Sequence, residues 1–317
     1  MKEDVVVIYH IEPVLESFIW GGRRIIDAYH LETDLKNVGQ IYHVIALKGH
    51  QDCIVTEARQ PLSRFYETHP EIFRCKAPVF PVRLATSCSE KKMSSHLHPG
   101  NGYALTHEGT LGKVSGSISI EPDGTEQIKL FGNKAASLEE FRQLVEREDW
   151  EGLFQTITVR SGQYLHTPAG VIHGGGGGEN GKISMVFASN SDISYRFFDY
   201  HRNDPDRRLH VRQVYDCVNI PEVPLAPIDP VCYEVNGLRV TDYYSSPGEY
   251  VAKRLDVDGP GSFSFDRFMC IVCVKGEGKI DGIPIRMPET VLIPADHGPV
   301  RLDGAMQLYM ISYIDEQ

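Results

Sequence analysis

No stretch of this 317-residue sequence stays apolar for the about 18 residues a spanning helix needs, so a transmembrane helix is excluded. The first residues, Met1-Lys2-Glu3-Asp4 and then Val5 to Ile8, lack the basic start, apolar centre and cleavage site of a secretory signal. Cysteine is sparse and odd in number: seven, at 53, 75, 88, 217, 232, 270 and 273. That pattern disfavours a disulfide framework and fits a reducing compartment, so a cytoplasmic protein is expected. Cys270 and Cys273 imitate a metal-binding pair. They stand in one apolar strand pattern, Phe268 to Val274, where residues three apart face opposite sides, so buried core positions are expected instead. Positive charge is also short. The 32 Lys and Arg face 43 Asp and Glu, a net −11 that disfavours nucleic acid or an anionic membrane as partner. A small molecule remains, and a phosphorylated one requires a local basic pocket inside the acidic shell.

What is present is strand upon strand, with 41% hydrophobic residues and enough length for one to three domains. Ile41 to Ala46 and Asp52 to Thr56 read as strands around a turn at Lys48-Gly49-His50. Residues 61–75 read as a helix with a break at His69-Pro70. Pro78 to Ala85 is a buried strand carrying Arg83. Ser115 to Glu121 alternates as a strand, and Pro122-Asp123-Gly124 reads as a hairpin turn. Ser137 with Glu140 three residues on is a capping box, opening helices over 137–154 that interrupt the strands. Five glycines, 174–178, form a run expected to be mobile without ligand. Four prolines between Pro221 and Pro230 read as a linker. Residues 229–317 form a second, smaller β unit, with His297 but no paired histidines, so no metal is expected there.

Two stretches carry chemistry. In Ser95-His96-Leu97-His98, residues i and i+2 of a strand share a face about 7 Å apart, so both imidazoles can reach one atom. In Gly162 to His173, a strand meets a rigid corner at Pro168-Ala169-Gly170 and re-enters a strand at Val171-Ile172-His173. Two histidines on a strand are usually a solvated face. A third on a motif-placed strand shifts the reading to a metal site. From Gly162 to His173 the spacing resembles the second signature motif of the cupin superfamily.

Further residues widen that resemblance. Phe18-Ile19-Trp20-Gly21-Gly22, His69-Pro70-Glu71-Ile72-Phe73, Val79 to Leu84, His96-Leu97-His98-Pro99, Leu111-Gly112-Lys113, Pro168 to His173, and Asn190-Ser191-Asp192 through Arg196 to Tyr200 occur in order. Together they resemble the type I mannose-6-phosphate isomerases in their short bacterial form. The resemblance implies a mainly β fold of two cupin-like β-barrel (jelly-roll) units with a small helical insertion. A metal-binding domain is expected over 1–228, with helical segments at about 61–75 and 137–154, and a metal-free one over 229–317. It implies one Zn²⁺ per chain on His96, His98 and His173, and a sugar phosphate as substrate. It also implies catalytic roles for Arg196 and Lys113, and substrate binding by Trp20, Lys113, Asp192 and Arg196.

The departures from the family pattern concern carboxylates. A family glutamate ligand falls on Ser115, a candidate glutamate base on Val186, and an active-site tyrosine on Gly175. His96 stands where the family has glutamine. Glu108 is a candidate replacement carboxylate. Two function classes follow. One is a metal-dependent aldose–ketose isomerase, converting mannose 6-phosphate to fructose 6-phosphate or acting on a related substrate. The other is a catalytically impaired member that binds a sugar or sugar phosphate in a regulatory role. An iron oxygenase is a weaker third, because Gly100 occupies the next same-face position where a carboxylate ligand would stand.

Overall fold

The computed structural model describes residues 7–120, 126–174, 181–222 and 225–316. It is mainly β, as expected, and built from antiparallel sheets. A six-stranded sheet runs in the order Leu165–Thr167, Ser115–Ser119, Ser184–Ser189, Val82–Ser87, Gln40–Val44, Val14–Glu16. A five-stranded sheet runs Phe154–Arg160, Glu126–Asn133, His173–Gly174, Ser95–Leu97, Tyr195–Phe198. The two meet across a small core in which Phe131 and Val159 of the second pack with Leu165 of the first and with Val171. An eleven-stranded sheet is formed mostly by strands after residue 230 and continues through Tyr9–Glu12, which pairs with Thr290–Ile293.

Period-2 alternation explains how one strand serves two cores. In Met269–Ile280, Met269, Ile271 and Cys273 enter the core enclosed by the eleven-stranded sheet. Cys270, Val272 and Val274 face the other way, into the core shared with the six-stranded sheet. Both cysteines are buried and unpaired, on opposite faces as the pattern requires. His43 crosses that junction, with Nε2 2.8 Å from Thr86 Oγ1 and Nδ1 3.4 Å from Thr290 Oγ1. Burial lowers its pKa to about 3, so it is neutral there.

Helices Leu138–Glu146 and Trp150–Leu153 pack outside the five-stranded sheet, where Phe141, Leu144 and Leu153 meet Leu97, Tyr195 and Phe197. Ser137 Oγ accepts from the Glu140 N–H at 3.2 Å, and the Glu140 carboxylate accepts from the Ala136 N–H at 2.8 Å. The capping box thus closes one residue earlier than its usual form. Residues 61–75 split into Leu62–Thr68 and Pro70–Phe73, with the break at His69.

Several expectations are corrected. The hairpin at Pro122-Asp123-Gly124 lies outside the described residues, but the strands flanking it do not pair. Ser115–Ser119 joins the six-stranded sheet and Glu126–Asn133 the five-stranded one, so the chain crosses between sheets there. The proline-rich segment read as a linker is docked: Ile228 and Tyr164 exchange backbone hydrogen bonds of 2.8 and 2.9 Å. Helices at Asn101–His107 and Val211–Cys217 have no counterpart in the sequence reading. Gly175 and the rest of the glycine run after Gly174 lie outside the described residues.

One glycine is required by close approach. A Cβ on Gly116 would overlap the hydroxyl of Tyr164, which is fully buried and 2.5 Å from the Tyr250 hydroxyl. Gly116→Ala is expected to destabilise the fold by about 1–3 kcal/mol, because an overpacked core must shift to relieve the overlap. A chemical-denaturation midpoint equal to that of the parent would contradict this.

Candidate metal centre and active site

Three neighbouring strands of the five-stranded sheet bring the key residues into one row. His173 lies directly opposite His96, and His96 directly opposite Arg196. His98 follows on the same face as His96, while Leu97 points into the helix-side core. The corner before His173 is held by Gly170, whose φ is +83° and whose N–H donates to the His98 carbonyl at 2.8 Å. A side chain there would strike Asn219, which bonds back to the Ala169 carbonyl at 3.0 Å. The loop after Cys217 therefore clamps the corner that aims His173.

The rings of His96, His98 and His173 converge, with centroids 4.3, 4.9 and 5.3 Å apart. Each Nδ1 contacts a backbone carbonyl: Ser94 at 2.9 Å, Ile193 at 2.7 Å and Val171 at 2.9 Å. A carbonyl can only accept, so each Nδ1 carries the hydrogen and each Nε2 keeps its lone pair. That is how metal-ligating histidines are normally oriented. One ligand atom from each lies within 4.8 Å of the others, so all three fall within about 2.8 Å (4.8/√3) of a common point. A zinc–nitrogen bond of ~2.0–2.1 Å needs only a small inward adjustment. Burial lowers the pKa of His96 to about 4 and those of His98 and His173 well below the usual value. The site is therefore neutral and able to ligate at pH 7. Among the described residues, no carboxylate or thiol joins this group.

Lys113 is buried, its backbone N–H donates to the carbonyl of Pro99, next to His98, at 3.0 Å, and its charge further lowers the pKa of all three histidines. Burial and the Arg83 charge bring its own pKa down to about 7, partly opposed by Asp192. Arg83, given no role in the sequence reading, is the centre of the adjoining polar cluster. Its Nη1 donates to Asp192 Oδ1 and to the Ser191 carbonyl, both at 3.0 Å, and its Nη2 to Gln40 Oε1 at 3.1 Å. Its guanidinium lies 4.5 Å from the centre of the Tyr42 ring. A cation buried on a strand between apolar residues was the available signal. Arg196 is half-buried, donates to the Arg208 carbonyl at 3.2 Å, and has a buried Nε with no partner. Trp20 is buried. It stacks on Phe18 at 4.6 Å and packs against Gly39.

Ser115 and Val186 lie on the other sheet. Ser115 pairs with Ala188 and Ser117 with Val186, on the face that also carries Arg83. Glu108 is engaged elsewhere: its carboxylate accepts from the Tyr195 hydroxyl at 2.7 Å.

No protein-family model matches the chain. Curated proteins do. A Bacillus subtilis protein named probable mannose-6-phosphate isomerase is 28% identical, covering 96% of this chain and 98% of its own length. A Streptococcus mutans mannose-6-phosphate isomerase is 27% identical, covering 94% and 96%. The chain is a relative of the mannose-6-phosphate isomerases. A crystal structure of the Bacillus subtilis mannose 6-phosphate isomerase superposes with a TM-score of 0.86 at 23% identity, over 96% of this chain and 99% of that one. A zinc-bound mannose 6-phosphate isomerase superposes at 0.76 with 12% identity, over 97% and 99%. Both are likenesses of fold, and they agree with the mainly β fold expected from the sequence. No helix among the described residues is long and apolar enough to cross a membrane.

Proposed function

We propose that this chain is a metal-dependent aldose–ketose isomerase that interconverts mannose 6-phosphate and fructose 6-phosphate, with Zn²⁺ on His96, His98 and His173. The observation that carries the reading is the grouping of one ligand atom from each of three histidines within 4.8 Å of one another, with each Nδ1 bonded to a carbonyl so that Nε2 is the nitrogen left to ligate. When bound, the ion supplies positive charge beside the oxygens on C1 and C2, where negative charge grows as the enediol forms.

The proton must be moved by the chain. Val186 cannot move one, and Glu108 is tied to Tyr195. Lys113 is suited to it: it stands beside the three histidines, its side-chain amine has no hydrogen-bond partner among the described residues, and a pKa of about 7 leaves much of it as free amine at neutral pH. In the proposed reaction the Lys113 amine takes the C2 proton of the aldose, a proton passes from O2 to O1 as the enediol forms and collapses, and the ammonium, exchanging with solvent, delivers a proton to C1 of the ketose. Arg83 and Asp192 position Lys113 and tune its charge.

Val186 and Ser115 favour a second reading, a sugar-phosphate binder without turnover. Isomerisation in D₂O separates the two. The first reading expects fructose 6-phosphate carrying solvent deuterium at C1. Binding of mannose 6-phosphate with no product would support the second and contradict the first.

A further inference from the structure

We infer that Lys129 and Gln127, on the barrel-facing side of the strand Glu126–Asn133, anchor the phosphate group of the substrate. The inference deepens the isomerase reading above and assigns the part of the site that recognises the charged end of the sugar.

Alternation fixes which way these residues point. Ile128 is 76% exposed and Leu130 packs toward the helix-side core. Gln127, Lys129 and Phe131 therefore share the opposite face. Phe131 stands directly opposite His173, so that face is the one carrying the three histidines. Lys129 is the next same-face position, about 7 Å along the strand from Phe131, and Gln127 the one after. Lys129 is close enough that its charge lowers the His173 pKa.

Among the described residues neither side chain is satisfied. Lys129 has no hydrogen-bond or ion-pair partner among the described residues, and Gln127 Nε2 is buried with no acceptor. Their cross-strand neighbours are Ile157 and Val159, which offer no side-chain acceptor. Burial lowers the Lys129 pKa, so the unpartnered charge is held at an energetic disadvantage. Two adjacent donors without acceptors, one of them cationic, match a ligand group with several anionic oxygens. A phosphate monoester is such a group. With Zn²⁺ on the histidines and phosphate at Lys129, the sugar lies between them, its C1 and C2 end toward Lys113.

The test uses the full-length, zinc-loaded protein and its Lys129→Met, Lys129→Arg and Gln127→Leu variants. Lys129→Met is expected to raise KM for mannose 6-phosphate about 10–100-fold, the scale of a lost hydrogen bond to a charged group. Little change in kcat and unchanged zinc content are expected to accompany it, since binding alone is removed. Lys129→Arg should restore most of the affinity, and Gln127→Leu should give a smaller rise. An unchanged KM in both Lys129→Met and Gln127→Leu, or a fall in kcat at constant KM, overturns the assignment. If the parent protein does not isomerise the sugar, calorimetric titration decides. Mannose 6-phosphate that binds the parent and is weakened by Lys129→Met, with mannose itself unaffected, upholds the anchor while the isomerase reading fails. No binding to the parent, or equal binding to parent and variant, overturns it.

Discussion

His98→Ala is expected to abolish zinc binding at micromolar protein and to cut isomerisation by about 10²–10⁴-fold. The several kcal/mol of charge stabilisation that a bound ion supplies sets that scale, at one decade per 1.36 kcal/mol. The geometry explains why no neighbour would substitute. Among the described residues the close group of ligand atoms contains His96, His98 and His173 alone, and removing one leaves two neutral nitrogens with no described carboxylate in the group. His98 is 2% exposed, and its Nδ1 bond to the Ile193 carbonyl ties it to the loop before Arg196. The variant therefore opens a cavity as well, so its fold must be checked by circular dichroism. His98→Gln, which keeps a side chain of related length, should retain the fold and lose most of the zinc. Stoichiometric zinc in both variants, measured by inductively coupled plasma mass spectrometry, would show that the three histidines do not form the site.

Lys113→Met is expected to lower kcat by about 10²–10⁴-fold, the usual contribution of a positioned acid or base. The pH dependence separates a base from a mere cation. If the amine form is the active one, kcat/KM rises as the Lys113 ammonium loses its proton, at or below about pH 7 because a bound cation lowers its pKa further, and stays high above it. A residue acting only through its charge would give the opposite profile. Lys113→Arg keeps the charge but cannot lose the proton near neutrality, so it should bind substrate and fail to turn it over. Stability has its own signature. The folded-state pKa of Lys113, about 7, lies below the ordinary 10.5. Between those values the unfolded chain binds the extra proton. The parent therefore gains stability as pH rises from about 7 toward 10, by at most about 1.4 kcal/mol per pH unit from this group. Lys113→Met should lack that gain and be more stable than the parent at pH 7. Equal stability-against-pH curves for the two proteins would show that Lys113 is not held at a lowered pKa.

The three histidines were legible in the sequence because their arrangement is local. A period of two puts His96 and His98 on one face, and the Pro168-Ala169-Gly170 corner aims His173, whatever the rest of the chain does. Cys270 and Cys273 were legible for the same reason. Other features depend on partners distant in sequence. Pro122-Asp123-Gly124 has hairpin chemistry, but Ser115–Ser119 and Glu126–Asn133 find partners in different sheets. The helices Asn101–His107 and Val211–Cys217 carry no side-chain cap, and Gly102 sits inside the first. Burial of Ala104, and of Val214 in the helix-side core, rather than propensity, accounts for them. Lys129 and Gln127 escaped notice because polar residues in an alternating strand read as its wet face. The sheet order, with His173 on the neighbouring strand, turns that face inward. Arg83 bonds Asp192, and both act on the charge of Lys113, from three separate segments, an arrangement no local pattern announces.

The most direct measurement of the central claim is steady-state conversion of mannose 6-phosphate by the purified chain, stripped of metal and then titrated with zinc. Negligible turnover is expected in the stripped protein, with recovery that saturates at one zinc per chain and the same titration flat in His98→Ala. Equal turnover before and after stripping would contradict it.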